Sequence, residues 1–185
     1  MNLEAVVEQL RTHCPSFENR VAGAANFAIG LETTVNLKLP ACFVVPEAEE
    51  AAEQKGLTGY DQLVTEQVLI IVEFDNRSDR RGQSVTLLYD AMRRELWRAL
   101  LNWRPPPAAG DTQRAARGFW FGGGQLIDFD RARLFYQWRF CLDITVTDLD
   151  GWQEPLDPLE EIDVTRTPAI PPGTSPDVIV TYPQS

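Results

Sequence analysis

Between Arg133 and Thr147 (RLFYQWRFCLDITVT) every even position is apolar, namely Leu134, Tyr136, Trp138, Phe140, Leu142, Ile144 and Val146, while most odd positions are polar. Alternation with a period of two puts one set of side chains on one face of a β-strand. The spacing therefore predicts a single long strand with one dry face, about 50 Å from end to end at roughly 3.3 Å per residue. A strand of that length crosses a domain and projects beyond it, so it requires a neighbour.

The rest of the chain reads as shorter elements around that strand. Leu3, Val6, Val7, Leu10 and Cys14 recur at helical spacing behind Asn2, a good N-cap, and Pro15 ends the run. Ala24 to Leu31 has the composition of a short helix. Ala41 to Val45 is an apolar strand between two stops, Pro40 and Pro46. Residues 47 to 60 (EAEEAAEQKGLTGY) read as an exposed loop, with a helical turn or two over Glu47 to Gln54 as the alternative. Val64 to Asp75 carries Val68, Ile70, Val72 and Phe74 on one side and Leu69 and Ile71 on the other, which predicts an interior strand with a layer on each face.

Asn76 to Gly82 is a loop by composition, and a helix follows from about Gln83 to Asn102. Its apolar stripe is Val85, Leu88, Met92, Leu96, Ala99 or Leu100, and Trp103, and Arg104 with three prolines stops it. Phe119 to Phe121 and Leu126 to Phe129 read as strand segments around Gly122, Gly123 and Gly124. A turn over Asp130 to Ala132 then leads into the long strand. The expected result is an antiparallel hairpin, with Phe119, Trp120, Phe121, Ile127 and Phe129 against Phe135, Tyr136 and Trp138. Beyond Asp148 lie seven of the thirteen prolines, so residues 148–185 read as an extended arm. Asp177 to Tyr182 is β-branched enough to add to a sheet edge.

Composition leaves that picture intact. A chain of 185 residues with 44% hydrophobic content suits one domain plus an appendage, and folding at this size buries roughly 70% of the surface. The apolar run Val68 to Val72 is far too short for a bilayer span. The first residues, MNLEAVVEQL, lack the basic region of a secretory signal, which predicts a cytoplasmic site of synthesis.

Charge adds an asymmetry. The net charge is −10, and residues 148–185 hold eight acidic residues against Arg166 alone. Arg77 to Arg117 runs the other way, with nine arginines against Asp79, Asp90, Glu95 and Asp111. An acidic chain is a poor general nucleic-acid binder, whereas opposed charge on different segments suits subunits that dock on one another.

Candidate chemistry is sparse. His13, the only histidine, sits beside Cys14 on a helix, where adjacent residues do not face each other. A nucleophile system needs a base held against it by a third group, so His13 reads as a helix C-terminal residue that favours the dipole. Cys14, Cys42 and Cys141 form no CxxC pair and read as packed thiols. The three glycines lack a following GK[ST] and read as a bulge or turn. Asp128 with Asp130, and Asp148 with Asp150, fall short of a calcium loop and read as turn residues.

Arg77, Arg80, Arg81, Arg93, Arg94 and Arg98 read as a solvated face or a protein interface. Trp97, Trp103, Trp120 and Trp138 fall where the periodicity wants core, and Trp152 alone lies in the arm, as an anchor for a partner. With no nucleophile, base or metal set, no enzyme activity and no cofactor are expected.

The order of these pieces resembles the phage tail terminator family. The resemblance spans about residues 1–147 and is carried by the FVVP strand end, the strand and loop QVLIIVEFDNRSDRRG, the helix stop NWRPP and the closing strand around FYQWRF. It implies an α+β fold, a mostly antiparallel sheet flanked by helices over residues 1–147; the extended C-terminal arm, the acidic, proline-rich 148–185, is read from composition and lies outside the resemblance. The resemblance also implies a hexameric ring that caps the tail tube, ends its polymerisation and joins the tail to head completion or neck proteins, with DNA passing through the lumen.

On that basis Trp152, Val178, Ile179, Val180 and Tyr182 are the expected subunit interface, and Arg77, Asp79, Arg80 and Arg81 the expected tube- or neck-facing loop. The long strand is expected to leave the shared core from about Asp143 and lead the arm toward another subunit. The implied location is the tail-neck region of the virion, without membrane contact. The rival readings are another head-to-tail joining protein and, in a different class, an acidic DNA mimic that inhibits a host enzyme.

Overall fold

The computed structural model describes residues 1–24, 38–56, 59–75, 83–107, 114–129, 133–153 and 155. Met1 to Trp152 form one compact unit. Its elements are helix α1 (Leu3–His13), strands β1 (Val21–Gly23), β2 (Ala41–Ala51) and β3 (Asp61–Asp75), helix α2 (Gln83–Leu100), and strands β4 (Arg114–Ala115), β5 (Trp120–Phe129) and β6 (Arg133–Thr147). The expected helix over Ala24 to Leu31 and the loop from Asn76 to Gly82 fall outside the described residues.

The strands make one sheet in the order β1-β2-β3-β6, with β4 and β5 both against the far side of β6. Every pairing is antiparallel except the short parallel one between β1 and β2. The architecture is thus the α+β, mostly antiparallel sheet that the family resemblance implied.

The long strand finds its neighbour within the chain. β3 is also fifteen residues long, and the two pair without a register shift from Asp61 opposite Thr147 to Asp75 opposite Arg133. β6 therefore does not leave the shared core at Asp143. That side chain is buried, Ile144 is 6% exposed within the core, and pairing continues to Thr147. The physical reason is β3, whose first seven residues hydrogen-bond this end of β6 and remove the need for a second subunit there.

The even face of β6 is dry, as expected. Trp138, Phe140, Leu142 and Ile144 join Val68, Ile70, Val72 and Phe74 of β3, Cys42 and Val44 of β2, Val6 and Leu10 of α1, and Met92, Leu96, Ala99 and Leu100 of α2. Asn2 caps α1, its Oδ1 accepting from the Ala5 amide at 3.1 Å. On α2 the first turns are rotated from the expected stripe. Leu88 and Leu87 are exposed, the latter at 75%, and Tyr89 packs inward instead, 5.2 Å from the Trp138 ring and 4.8 Å from Tyr136. Aromatic stacking outweighs the simple aliphatic period there.

The opposite face holds a smaller cluster, Ala41, Phe43 and Ile71, with Leu69, Val45 and Phe135 against it. Polar clamps fill the remainder. Arg139 grips Glu47 through two hydrogen bonds of 2.5 Å each, and Gln67 donates to Glu50 at 2.7 Å.

Two expectations fail in the strands. Pro46 does not end β2, and residues 47–51 are strand, not loop, paired with β3 past a register shift between Pro46 and Ala48. β1 covers only Cys42 to Val44, so among the described residues β2 is an edge from Val45 onward, where a proline at a bulge is tolerated. The glycines do not separate two segments either. β5 runs unbroken through them, with a bulge between Phe121 and Gly123, where Gly123 takes φ of 122°. Phe119 precedes β5 and is buried in the core, stacked on Trp103 at 6.0 Å.

All three cysteines are free and buried. Burial, with the Glu95 carboxylate adding to it, pushes the Cys14 thiol up to about 12, and burial puts Cys42 well above its ordinary value. An unfolded chain releases the Cys14 proton near pH 9, whereas the folded chain holds it to about 12. The unfolded state then binds fewer protons across that window, so stability falls as pH rises through it, by up to about 1.4 kcal/mol per pH unit from Cys14. Urea melts between pH 8 and 10.5 are expected to show a steeper decline for the wild type than for Cys14→Ala. Equal slopes refute this.

Candidate assembly surfaces

Apolar side chains that the core leaves outside gather in two places. The first is the end of the sheet where β3 begins and β6 ends. Asp148 Oδ1 accepts from the Tyr60 amide at 2.6 Å, and Asp150 Oδ2 accepts from the Thr147 amide at 2.8 Å and from its hydroxyl at 3.2 Å. The Asp148 and Asp150 pair thus does turn work, closing a short 3₁₀ turn and tying it to β3. That latch holds Tyr60, Leu63, Leu149 and Trp152 at the surface, Trp152 at 81% exposure.

The second place is β5. Trp120, expected in the core, is 37% exposed, and Phe121, Leu126 and Ile127 are exposed with it. Trp120 points to the polar face because it pairs with Cys141, an odd position of β6. The Arg117 guanidinium lies 5.2 Å from its ring and also binds Asp143 at 2.6 Å. Asp143 in turn accepts from the Thr65 hydroxyl at 2.8 Å. On the helix face Phe121 meets Trp97 at 5.5 Å, and Arg93 lies 4.9 Å over that indole. Burial and a hydrogen bond with Tyr89 push the nearby Tyr136 hydroxyl up to about 12.

The projecting part of β2 carries Glu47, Glu49 and Glu50, and β5 carries Asp128, with Arg117 beside its Trp120. A shallow groove of about 360 Å³ beside β2 is lined by Glu47, Glu49 and Glu66 together with Met1, Leu3 and Pro46. It brings no nucleophile and base together. Among the described residues no group of three histidine, cysteine or acidic side chains is placed to hold a metal ion, and His13 is exposed at the end of α1.

Of the residues singled out in the sequence as an interface, Trp152 lies at the surface. Val178, Ile179, Val180, Tyr182, Arg77, Asp79, Arg80 and Arg81 lie outside the described residues. The exposed β5 side chains and the Asp143–Arg117 clamp were missed. A lone glycine before an aromatic pair, Gly118, was the only local signal there.

A mostly antiparallel sheet with both helices packed on one face defines an α+β fold. The chain belongs to the phage tail terminator protein family, whose model matches residues 1–151. It is accordingly a structural component of the phage tail and of the virion. Its fold is also similar to that of a chain in the virion of a native gene transfer agent (GTA) particle, with a TM-score of 0.51, 16% identity, and coverage of 78% of this chain and 95% of that one. No curated protein sequence matches it.

Proposed function

We propose that this chain forms a hexameric ring that caps the tail tube, ends its polymerisation and joins the tail to a head completion or neck protein in the tail-neck region. The observation that carries this is the extent of the family match, residues 1–151, which takes in the whole sheet and both helices. The mechanism is geometric. One face of the ring fits the last ring of tube protein and leaves it no site for further addition, and the other fits the neck. Heterologous contacts close when the rotation between subunits divides a circle, and an acidic chain suits a lumen through which DNA must pass without sticking.

Residues 148–185 act as an arm in this reading, with Val178, Ile179, Val180 and Tyr182 adding to a neighbouring subunit and Trp152 as its anchor. The loop holding Arg77, Asp79, Arg80 and Arg81 meets the tube or the neck. Because Trp152 is 81% exposed, Trp152→Ala is expected to leave folding stability within about 0.5 kcal/mol. It should weaken ring assembly roughly tenfold or more, as loss of an aromatic anchor does, in light scattering against concentration. Unchanged assembly removes Trp152 from the interface.

Deleting the gene tests the function itself. Electron micrographs should show overlong tails without heads attached. Tails of normal length that lack heads would instead assign the chain to the neck.

A further inference from the structure

Among the described residues the sheet has two open borders, and they differ. Among the described residues β6 is the one strand that pairs with β5, and the outer side of β2 is covered only at Cys42 to Val44. An unpaired edge is a template for another strand. The β5 border is apolar, with Trp120, Phe121, Leu126 and Ile127 each more than a third exposed. The β2 border, Val45 to Ala51, is acidic and its last six residues are exposed.

We propose that β5 of one copy pairs with Val45 to Ala51 of β2 in the next copy, so that the sheet continues from subunit to subunit. This rests on the ring reading above and names the contact that makes the ring.

Strand direction supports it. β2, β3, β6 and β5 alternate in direction, so β5 runs opposite to β2. Copies related by rotation about an axis roughly along the strands keep their directions, and β5 then meets the next copy's β2 antiparallel. No strand has to be reversed or removed.

Charge disfavours one alternative. Two β2 borders would set Glu47, Glu49 and Glu50 against their own kind, whereas β5 carries a single charged side chain, Asp128, and has Arg117 beside its Trp120. Like charges across a ladder destabilise it and opposite charges favour it. Arg93, Arg117 and Glu47 already have partners within the subunit, Asp90, Asp143 and Arg139. Charge therefore disfavours β2 against β2, while backbone hydrogen bonds and the apolar side chains of β5 hold the β5-to-β2 contact. The β5-to-β2 contact uses two different surfaces and so can close a ring, whereas either like-with-like contact would stop at a dimer.

The test uses the full chain with Leu126→Cys and Glu49→Cys together, each alone, and a second pair in the same antiparallel register, Gln125→Cys with Glu50→Cys. All four positions are exposed, and melting temperatures within about 2 °C of wild type confirm folding. A short bismaleimide is added at pH 7, where Cys14, Cys42 and Cys141 are buried thiols. Both double variants are expected to give a covalent ladder up to the ring, and the single variants no more than background. A ring in light scattering without a ladder, or efficient dimers from Leu126→Cys alone, overturns the contact and leaves the ring standing. A wild-type chain that stays monomeric at every concentration and is absent from purified tails overturns the ring reading, and the contact with it.

Discussion

Replacing Trp138 with alanine is expected to lower folding stability by about 3–5 kcal/mol, the range for removing a buried large aromatic. Domains of this kind have only about 5–15 kcal/mol to lose. Trp138 is 1% exposed and is where the sheet and α2 meet. Its ring lies edge-on to Phe74 of β3 at 6.5 Å, 4.8 Å from Tyr136 and stacked on Tyr89 of α2. Truncation therefore leaves a cavity with aromatic walls on three elements, and α2 loses its hold on β6. Trp138→Phe should cost clearly less. Most of the packed ring survives, and the indole Nε1 has no hydrogen-bond partner among the described residues, so none is broken. Urea denaturation reads both. A loss below about 1 kcal/mol for Trp138→Ala, or an equal loss for the two variants, would show that this ring does not organise the core.

That residue was visible in the sequence because its strand is half buried, and a half-buried strand writes its geometry as strict alternation. α1 was equally legible, since Asn2, the apolar spacing and Pro15 agree. Features that depend on a partner element were not. The start of α2 reads through Leu88, but it packs through Tyr89 because Trp138 and Tyr136 offer aromatic faces, and those lie far away in the chain. Residues 47–51 look like a loop because Glu and Ala have weak strand preference. They are strand because β3 supplies a ladder, and backbone pairing overrides side-chain preference at an exposed edge.

The surfaces divide in the same way. Trp152 stands out as a large aromatic in a polar, proline-rich stretch, and its exposure requires no knowledge of the fold. Trp120 does not stand out, because an aromatic pair before three glycines reads equally well as core. Only the register with β6 decides that Trp120 faces the polar side while Phe121 faces α2. The long strand misled for a related reason. Its length implied a neighbour outside the subunit, yet β3 supplies one inside it, and the two reach fifteen residues each only because they pair together.

Gly118→Ala is expected to be strongly destabilising. The chain leaves α2 through Asn102, whose left-handed φ of 64° ends the helix. It then crosses the segment that enters β5. Asn102 N donates to Phe119 O at 2.8 Å and Phe119 N donates to Trp103 O at 2.9 Å, so the two backbones are bonded twice at the residue next to Gly118. A Cβ there would lie 2.3 Å from the carbonyl carbon and oxygen of Asn102 and 2.6 Å from its Cα. Those atoms are backbone and cannot swing aside, so the methyl group has to break both hydrogen bonds and part the stacked rings of Trp103 and Phe119. Overpacking costs about 1–3 kcal/mol and each lost hydrogen bond about 1 kcal/mol, which sets the expected loss at about 3 kcal/mol or more. The displacement also moves the start of β5, so assembly should fail even in the fraction that folds. Gly23→Ala is the control, because nothing lies within 4 Å of its Cβ position, and it should stay within about 1 kcal/mol of wild type. Urea melts that place Gly118→Ala beside Gly23→Ala would mean the crossing is looser than its two hydrogen bonds imply.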